Sequence, residues 1–203
     1  MSQLPVRNPA HGRADRDRLL QIVASSLTTE PFRRSDGRFV RNYVQGHLVL
    51  GDPAGLRLAS SLMLDAIRET PATVVAGEVA AACALVSGLV MLSSATDRPL
   101  TGRYIRREPR AYGIPGRLNA PLWPASDVFL VDDVAATGAS GERCVEALRS
   151  LGHNVLAMMV VVDRGQGAAE RLGSLGVELR ALFTLDEVRY AGADRWSRTV
   201  ASG

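Results

Sequence analysis

The chain has 203 residues with a net charge of +3, 46% hydrophobic and 22% charged residues, proportions typical of one ordinary globular domain spanning 1–203. So mild a charge argues against nucleic-acid binding, no apolar run approaches the ~20 residues that cross a bilayer, and the amino-terminal segment lacks the apolar core of a signal peptide. We therefore expect a cytoplasmic protein that binds neither nucleic acid nor membranes.

The first half of the chain predicts alternating helices and strands after a flexible, Pro- and Gly-rich segment at 1–13. Apolar spacing and turn residues place a helix at 15–28, an Arg-rich loop at 31–41, a strand at 43–50, a helix at 53–69, a strand at 73–76 and a helix at 79–92. Asp52 followed by Pro53 is typical of a capped helix start.

The second half continues the alternation after one long interruption. The pattern predicts a strand at 102–106, a loop at 107–126, a strand at 128–131, a helix at 138–151, a strand at 155–162, a helix at 167–175, a strand at 177–183 and a polar tail at 190–203. An aperiodic segment as long as 107–126 is usually functional or disordered in a compact domain.

Fully apolar strands that alternate with helices indicate an α/β fold with a mostly parallel sheet flanked by helices on both faces. Ligands bind outside the carboxyl ends of the strands in such sheets. The loops after Ala76, Val131 and Val162 should therefore lie on one rim and contain the chemistry.

The segment from Val128 to Ser140 is the main chemical motif. Four apolar residues are followed by Asp132 and Asp133, then by a loop of small residues that opens a helix. Small side chains let backbone N–H groups approach a phosphate, and the helix N-terminus adds unpaired donors. The carboxylates suit a sugar diol, or Mg²⁺ held through water. The alternative is an ordinary strand-to-helix turn with a cap.

This segment resembles the phosphoribosyl pyrophosphate (PRPP) motif of type I phosphoribosyltransferases, which has four apolar residues, two acids and a small-residue loop with Thr-Gly. The resemblance implies that Asp132 and Asp133 hold the ribose hydroxyls and, indirectly, Mg²⁺. It also implies that the following loop binds PRPP around the 5-phosphate. That loop comprises Val134, Ala135, Ala136, Thr137, Gly138, Ala139 and Ser140.

The segment from Arg106 to Gly113 resembles the mobile lid of orotate phosphoribosyltransferases, with arginine at both lysine positions and Tyr112 at the histidine position. The chain has no lysine, so its 24 basic residues are arginines that bind anions without shuttling protons. By resemblance, a lid at 107–120 closes over PRPP through Arg106, Arg107, Arg110 and Tyr112. Arg107, Arg110 and Asp133 are then the catalytic residues. The alternative is a solvated charged loop.

Two further segments resemble the orotate enzymes. Val162 to Gly165 contains Arg164, which matches the arginine that binds the carboxylate of orotate; the alternative is a surface salt bridge with Asp163. Phe32 to Val44 matches an early segment through Phe32, Gly37 and Tyr43, within a small N-terminal hood. The implied base-binding residues are Arg164, Ala136, Ser35, Tyr43 and Val44.

The sequence departs from this family pattern at two loops. Ala136 stands where the orotate enzymes offer a threonine hydroxyl, and Thr137 follows one residue later. The loop after Ala76 reads Gly77-Glu78-Val79, without the basic or hydroxyl side chain of the family's pyrophosphate loop. Glu78 would therefore need Mg²⁺ or an arginine to offset its repulsion from pyrophosphate.

These features together predict an Mg²⁺-dependent pentosyltransferase. It would transfer the phosphoribosyl group from PRPP to a pyrimidine base, orotate by default, giving orotidine 5'-phosphate and pyrophosphate in pyrimidine biosynthesis. By resemblance it would be a homodimer with shared active sites. Two alternatives stay open: a PRPP-dependent transferase with a different acceptor, and a PRPP-binding regulator without turnover.

Overall fold

The computed structural model describes residues 12–28, 30–33, 39–40, 42–114 and 116–201, without the side chains of 32–33, 39–40 and 194–201. Seven helices are described: α1 Arg13–Ser25, α2 Gly46–Gly51, α3 Pro53–Arg68, α4 Cys83–Ser93, α5 Ala139–Arg149, α6 Ala168–Ser174 and α7 Leu185–Ala201. Ten strands are described: β1 Leu27–Thr28, β2 Phe32–Arg33, β3 Phe39–Val40, β4 Tyr43–Val44, β5 Val74–Glu78, β6 Thr101–Arg110, β7 Gly116–Leu118, β8 Asp127–Ala135, β9 Asn154–Asp163 and β10 Glu178–Thr184.

The central sheet has six strands in the order β10-β9-β8-β5-β6-β7. Every pair from β10 to β6 is parallel, and only β7 runs antiparallel, against β6. The mostly parallel sheet flanked by helices is therefore confirmed. β1 with β4, and β2 with β3, form two small antiparallel pairs outside it.

The core lies on both faces of the sheet, because each face is covered by helices. One cluster joins α1, α3 and α4 to the sheet around Leu19, Leu58 and Phe129. The other packs α5 and α6 against the opposite face around Leu148 and Leu172. None of the helices in the described ranges combines the length and apolarity that crossing a bilayer requires.

Most predicted elements are present, and the capped start of α3 is confirmed, because a side-chain oxygen of Asp52 accepts from the N–H of Gly55 at 2.7 Å. The predicted strand at 43–50 is wrong. Only Tyr43 and Val44 are extended, and the chain then turns into α2, which buries Val49 and Leu50. A short apolar run fits a buried strand and a buried helix equally well.

Three boundaries also differ from the prediction. α4 begins at Cys83 rather than at 79, after a turn. The sequence predicts a polar tail at 190–203, but α7 continues through this segment to Ala201. The predicted loop at 107–126 begins as a β-hairpin of β6 and β7, the hairpin arm. In it β6 extends to Arg110 and pairs with β7 through Arg110 and Gly116. Mobility of this arm and the role of the N-terminal segment as a hood stay predictions, and residues 1–11 lie outside the described ones.

Candidate active site

The site lies where the direction of the sheet connections reverses. The chain leaves β5 through α4 to reach β6 on one side, and it leaves β8 through α5 to reach β9 on the other. β5 and β8 are neighbours, so the connections that follow them leave in opposite directions and open a crevice outside their carboxyl ends, which is where open α/β sheets bind ligands. Glu78 ends β5, and Asp132 and Asp133 lie near the end of β8.

Asp132 is buried, with 6% of its surface exposed. One carboxylate oxygen accepts from the N–H of Asp133 at 3.0 Å, and the other accepts from Ser140 Oγ at 3.4 Å. Burial raises the pKa of Asp132 well above its usual value, and the negative charges of Asp133 and Glu78 add to this increase. Such a carboxylate is set up to receive a cation or hydroxyl donors from a ligand.

Asp133 is half-buried, and its carboxylate accepts a hydrogen bond from the backbone N–H of Val134 at 2.7 Å. Burial raises its pKa as well, while hydrogen bonds and the nearby His47 oppose that rise. The backbone of Gly46 in α2 lies against this carboxylate, since an added β-carbon would come within 2.6 Å of Asp133 Cγ. The first turn of α2 therefore packs against one side of the acid pair, which is Asp132 and Asp133.

The predicted phosphate loop is shorter than expected, because Asp132, Asp133, Val134 and Ala135 belong to β8. β8 stays paired with β9 as far as Ala135 and Asp163, so the strand extends through both acids. The loop itself is residues 136–138, and α5 begins at Ala139. Gly138 has φ of 76°, a left-handed conformation that suits glycine, and it contacts α6 at Ala168. The chain therefore turns sharply and presents the amino-terminal end of α5 beside the acid pair.

Glu78 and Arg143 form a two-point ion pair across the crevice. Arg143 Nε donates to one carboxylate oxygen of Glu78 at 3.0 Å, and Nη2 donates to the other at 2.8 Å. The side chains are 14% and 32% exposed, respectively. The hydrogen bond with Glu78 raises the pKa of Arg143. An arginine of α5 therefore offsets the acidic side chain at the end of β5.

The predicted base-binding residues lie near the end of β9 and around β4. The backbone N–H of Arg164 donates to the carbonyl of Ala135 at 2.9 Å, and its guanidinium carbon lies 6.0 Å from the centre of the Tyr43 ring. Val44, Asp133 and Val134 line one crevice. Val44 therefore lies beside Asp133, Arg164 lies against the end of β8 with Tyr43 near its guanidinium, and Ala136 is half-buried, whereas Ser35 and Gly37 lie outside the described residues. Asp163 accepts from the N–H of Gly165 at 2.9 Å.

The arginines of the hairpin arm have different environments. Arg106 Nη1 donates to the carbonyls of Ile114, Gly116 and Leu118 at 3.2, 3.1 and 2.8 Å, so it joins the two strands of its own arm. Arg107 and Arg110 are exposed. The guanidinium of Arg110 lies 5.5 Å from the centre of the Tyr112 ring, and Tyr112 is 73% exposed. Arg107 and Arg110 are therefore accessible to solvent, whereas Arg106 is engaged within the arm, and a contact of any of the three with PRPP stays a prediction.

The acid pair fits Mg²⁺ bound partly through water. In proteins Mg²⁺ keeps several waters and uses one or two carboxylates together with substrate phosphates. Asp132 and Asp133 supply two such carboxylates, and a cation would favour the ionised form that burial disfavours. In the part of the chain that the structure describes, no three His, Cys, Asp or Glu side chains come together as a metal-binding group. The site therefore suits a cation shared with a ligand.

Sequence reasoning missed Gly46, His47 and Arg143. Gly46 and His47 reach the site from α2, which is far from the acid pair in sequence, whereas Arg143 lies in α5 just beyond the Val128–Ser140 segment; none of the three belongs to a motif. The only signal was indirect: an acidic Glu78 in an anion-binding loop requires a cation nearby, which the structure supplies as Arg143.

No protein-family model matches the chain. The orotate phosphoribosyltransferase of Haloquadratum walsbyi is 33% identical over 165 residues, covering 81% of this chain and 86% of that protein. A crystal structure of Mycobacterium tuberculosis orotate phosphoribosyltransferase with Fe(III) dicitrate is similar with a TM-score of 0.75 and 25% identity, covering 86% of this chain and 98% of that chain. The mycobacterial enzyme in complex with PRPP is similar in fold, with a TM-score of 0.71, 24% identity and the same coverage.

Proposed function

The chain belongs to the orotate phosphoribosyltransferase family, and we propose on this basis that it transfers the phosphoribosyl group of PRPP to orotate. The bond between ribose C1 and pyrophosphate breaks, and a bond from C1 to a ring nitrogen of orotate forms, giving orotidine 5'-phosphate and pyrophosphate. The observation that carries this proposal is the pair of the buried Asp132 and the half-buried Asp133 beside the amino-terminal end of α5, at the reversal point of the sheet.

In this proposal each half of PRPP has its own partners. Asp132 and Asp133 accept hydrogen bonds from the ribose hydroxyls, and the same pair would hold Mg²⁺ through water, where the ion would supply positive charge to the donor phosphates. Val134 to Ser140 surround the 5-phosphate, which backbone N–H groups at the start of α5 bind favourably. Arg106, Arg107, Arg110 and Tyr112 belong to the arm that closes over the pyrophosphate. Arg107 and Arg110 stabilise the charge that builds up on it as it leaves.

The acceptor lies on the other side of the acid pair. Arg164 binds the carboxylate of orotate, with Tyr43 and Val44 against the ring, and Ala136 and Ser35 complete the base-binding set. A guanidinium pairs with a carboxylate through two parallel hydrogen bonds, which also fixes the orientation of the base. Because the chain has no lysine, its arginines hold anions in place without accepting a proton, and the acidic N–H of the base ionises and releases its proton to solvent.

The test is orotate consumption, followed by absorbance, with PRPP and Mg²⁺. The wild-type protein should consume orotate, and Arg110→Ala should lose most of this activity. Arg57→Ala is the matched control, because Arg57 is an exposed arginine of α3 and does not belong to the hairpin arm. No consumption by the wild-type protein, with PRPP binding still measurable by calorimetry, would reject orotate as acceptor.

One observation favours a second candidate function with a different acceptor. Ala136 is half-buried in the loop and offers no hydroxyl, so a polar group of orotate would lose a partner at a cost of about 1–3 kcal/mol. Product analysis with PRPP and a panel of acceptors separates the two candidates. Tight PRPP binding without turnover on any acceptor would instead indicate a PRPP-binding regulator.

We also propose a cytoplasmic homodimer in which the arm of one protomer covers the site of its partner. Exposure of Arg107, Arg110 and Tyr112 on the hairpin arm supports this arrangement. Mixing inactive Arg110→Ala and Asp133→Asn proteins tests it, because a shared site combines an intact arm with an intact acid pair. Recovered activity supports shared sites, and its absence after subunit exchange rejects them.

A further inference from the structure

We propose that the Glu78–Arg143 ion pair sets the charge of the crevice wall that faces the pyrophosphate of PRPP, with Arg143 neutralising Glu78 so that a polyanion can lie there. This inference rests on the proposed function and adds a positioning residue, Arg143, to its donor site. The pair joins the end of β5 to the second turn of α5 by two hydrogen bonds of 3.0 and 2.8 Å.

The position of the pair follows from the shape of the donor. If the start of α5 binds the 5-phosphate and the acid pair binds the ribose hydroxyls, the pyrophosphate on C1 points away from α5's first turn. The remaining wall of the crevice at that side is the carboxyl end of β5, where Glu78 lies. Glu78 is therefore next to the leaving group rather than next to the 5-phosphate.

The charge of Glu78 should affect PRPP binding strongly because its surroundings are poorly hydrated. The Glu78 side chain is only 14% exposed, and its charge reaches the buried Asp132. Without Arg143, three carboxylates would face a donor that itself carries several negative charges, and interactions between charges strengthen as water is removed. The two-point geometry holds the guanidinium of Arg143 against the Glu78 carboxylate, so the negative charge of Glu78 stays compensated.

The experiment compares PRPP binding by calorimetry in the presence of Mg²⁺ for wild type, Arg143→Met, Glu78→Gln and the double variant. Arg143→Met should weaken binding by roughly tenfold or more, since it leaves a poorly hydrated carboxylate unpaired. Glu78→Gln should bind PRPP as tightly as wild type or more tightly. The double variant should recover most of the affinity that Arg143→Met loses, and the KM for orotate should be unchanged throughout.

Arg180→Met is the matched control, because Arg180 forms an ion pair with Glu178 of the same 2.8 Å length on the outer strand β10. It should leave PRPP affinity unchanged. Equal affinity of Arg143→Met and wild type would overturn the proposal, as would a double variant as weak as Arg143→Met. Weaker binding by Glu78→Gln would overturn it even if Arg143→Met fails to fold. Absence of PRPP binding by wild type would instead reject the proposed function itself, and this inference with it.

Discussion

Gly46 and Asp133 lie so close together that a β-carbon at position 46 would come within 2.6 Å of Cγ and 2.8 Å of Cβ of Asp133. Because both atoms lie near the backbone of Asp133, rotation of the carboxylate tip does not relieve the overlap. We expect Gly46→Ala to displace Asp133 and to weaken PRPP binding roughly 10- to 100-fold, as a shift of about 1 Å does in positioned sites. Calorimetry with PRPP and Mg²⁺ measures this loss.

Gly51 gives a control from the same helix. It ends α2, is exposed, and has no heavy atom within 4 Å of an added β-carbon. Gly51→Ala should therefore keep wild-type affinity for PRPP. If the two alanine variants bind PRPP equally well, the contact between α2 and the acid pair has no role in ligand binding.

Asp132→Asn should stabilise the ligand-free protein while abolishing PRPP binding. Burial and the neighbouring carboxylates raise the pKa of Asp132, so the folded state holds its proton more tightly than the unfolded state does. The contribution of Asp132 to wild-type stability should therefore be greatest at acidic pH and decrease as pH rises from the ordinary aspartate pKa through the raised one. Asparagine removes the charge and keeps the shape, so this decrease should be smaller in the variant.

Thermal unfolding as a function of pH, without ligand, measures the difference. At neutral pH the melting temperature of Asp132→Asn should exceed that of wild type, and the gap should close as the solution is acidified. Asp127→Asn is a suitable comparison, because Asp127 lies at the opposite end of β8. A lower melting temperature for Asp132→Asn at neutral pH would mean that the ionised carboxylate stabilises the free protein.

Local sequence was enough to predict the acid pair and the turn after it. Val128 to Val131 is a strong strand, and the small residues up to Gly138 leave no other element for that segment to form. The order of strands and helices then placed the carboxyl ends together. Extension of β8 through Ala135 was not predictable, because it depends on pairing with β9 rather than on residue type.

Contacts between distant elements were beyond sequence reasoning. Glu78 and Arg143 are 65 residues apart, and neither periodicity nor spacing connects them. The prediction of a strand at 43–50 was wrong for another reason. Val49 and Leu50 are buried in α2 just as they would be in a strand, so their burial could be predicted while their conformation could not.

Arg164→Met should raise the KM for orotate and leave the affinity for PRPP unchanged. The guanidinium lies near the Tyr43 ring at the end of β9, while its backbone N–H is already used by Ala135. Loss of a hydrogen bond to a charged group costs about 1.5–3 kcal/mol, which corresponds to roughly 10- to 150-fold in KM. Steady-state kinetics with each substrate varied separately measures both constants.

Arg164→Lys refines this test, because lysine keeps the charge and loses the planar fork. It should fall between wild type and Arg164→Met in KM for orotate. A parallel loss of PRPP affinity in both variants would show that Arg164 supports the fold of the site rather than the acceptor.

Arg106→Met should loosen the hairpin arm. Arg106 donates to three carbonyls across the arm, at Ile114, Gly116 and Leu118, and methionine of similar length can replace none of these hydrogen bonds. Trypsin should then cleave after the exposed Arg110 faster than in wild type, because cleavage requires the strand to open. Arg107→Met is the control, since Arg107 lies exposed on the same strand and its side chain is not part of this three-carbonyl contact. If both variants are cleaved at the wild-type rate, Arg106 does not hold the arm together and remains available to a ligand.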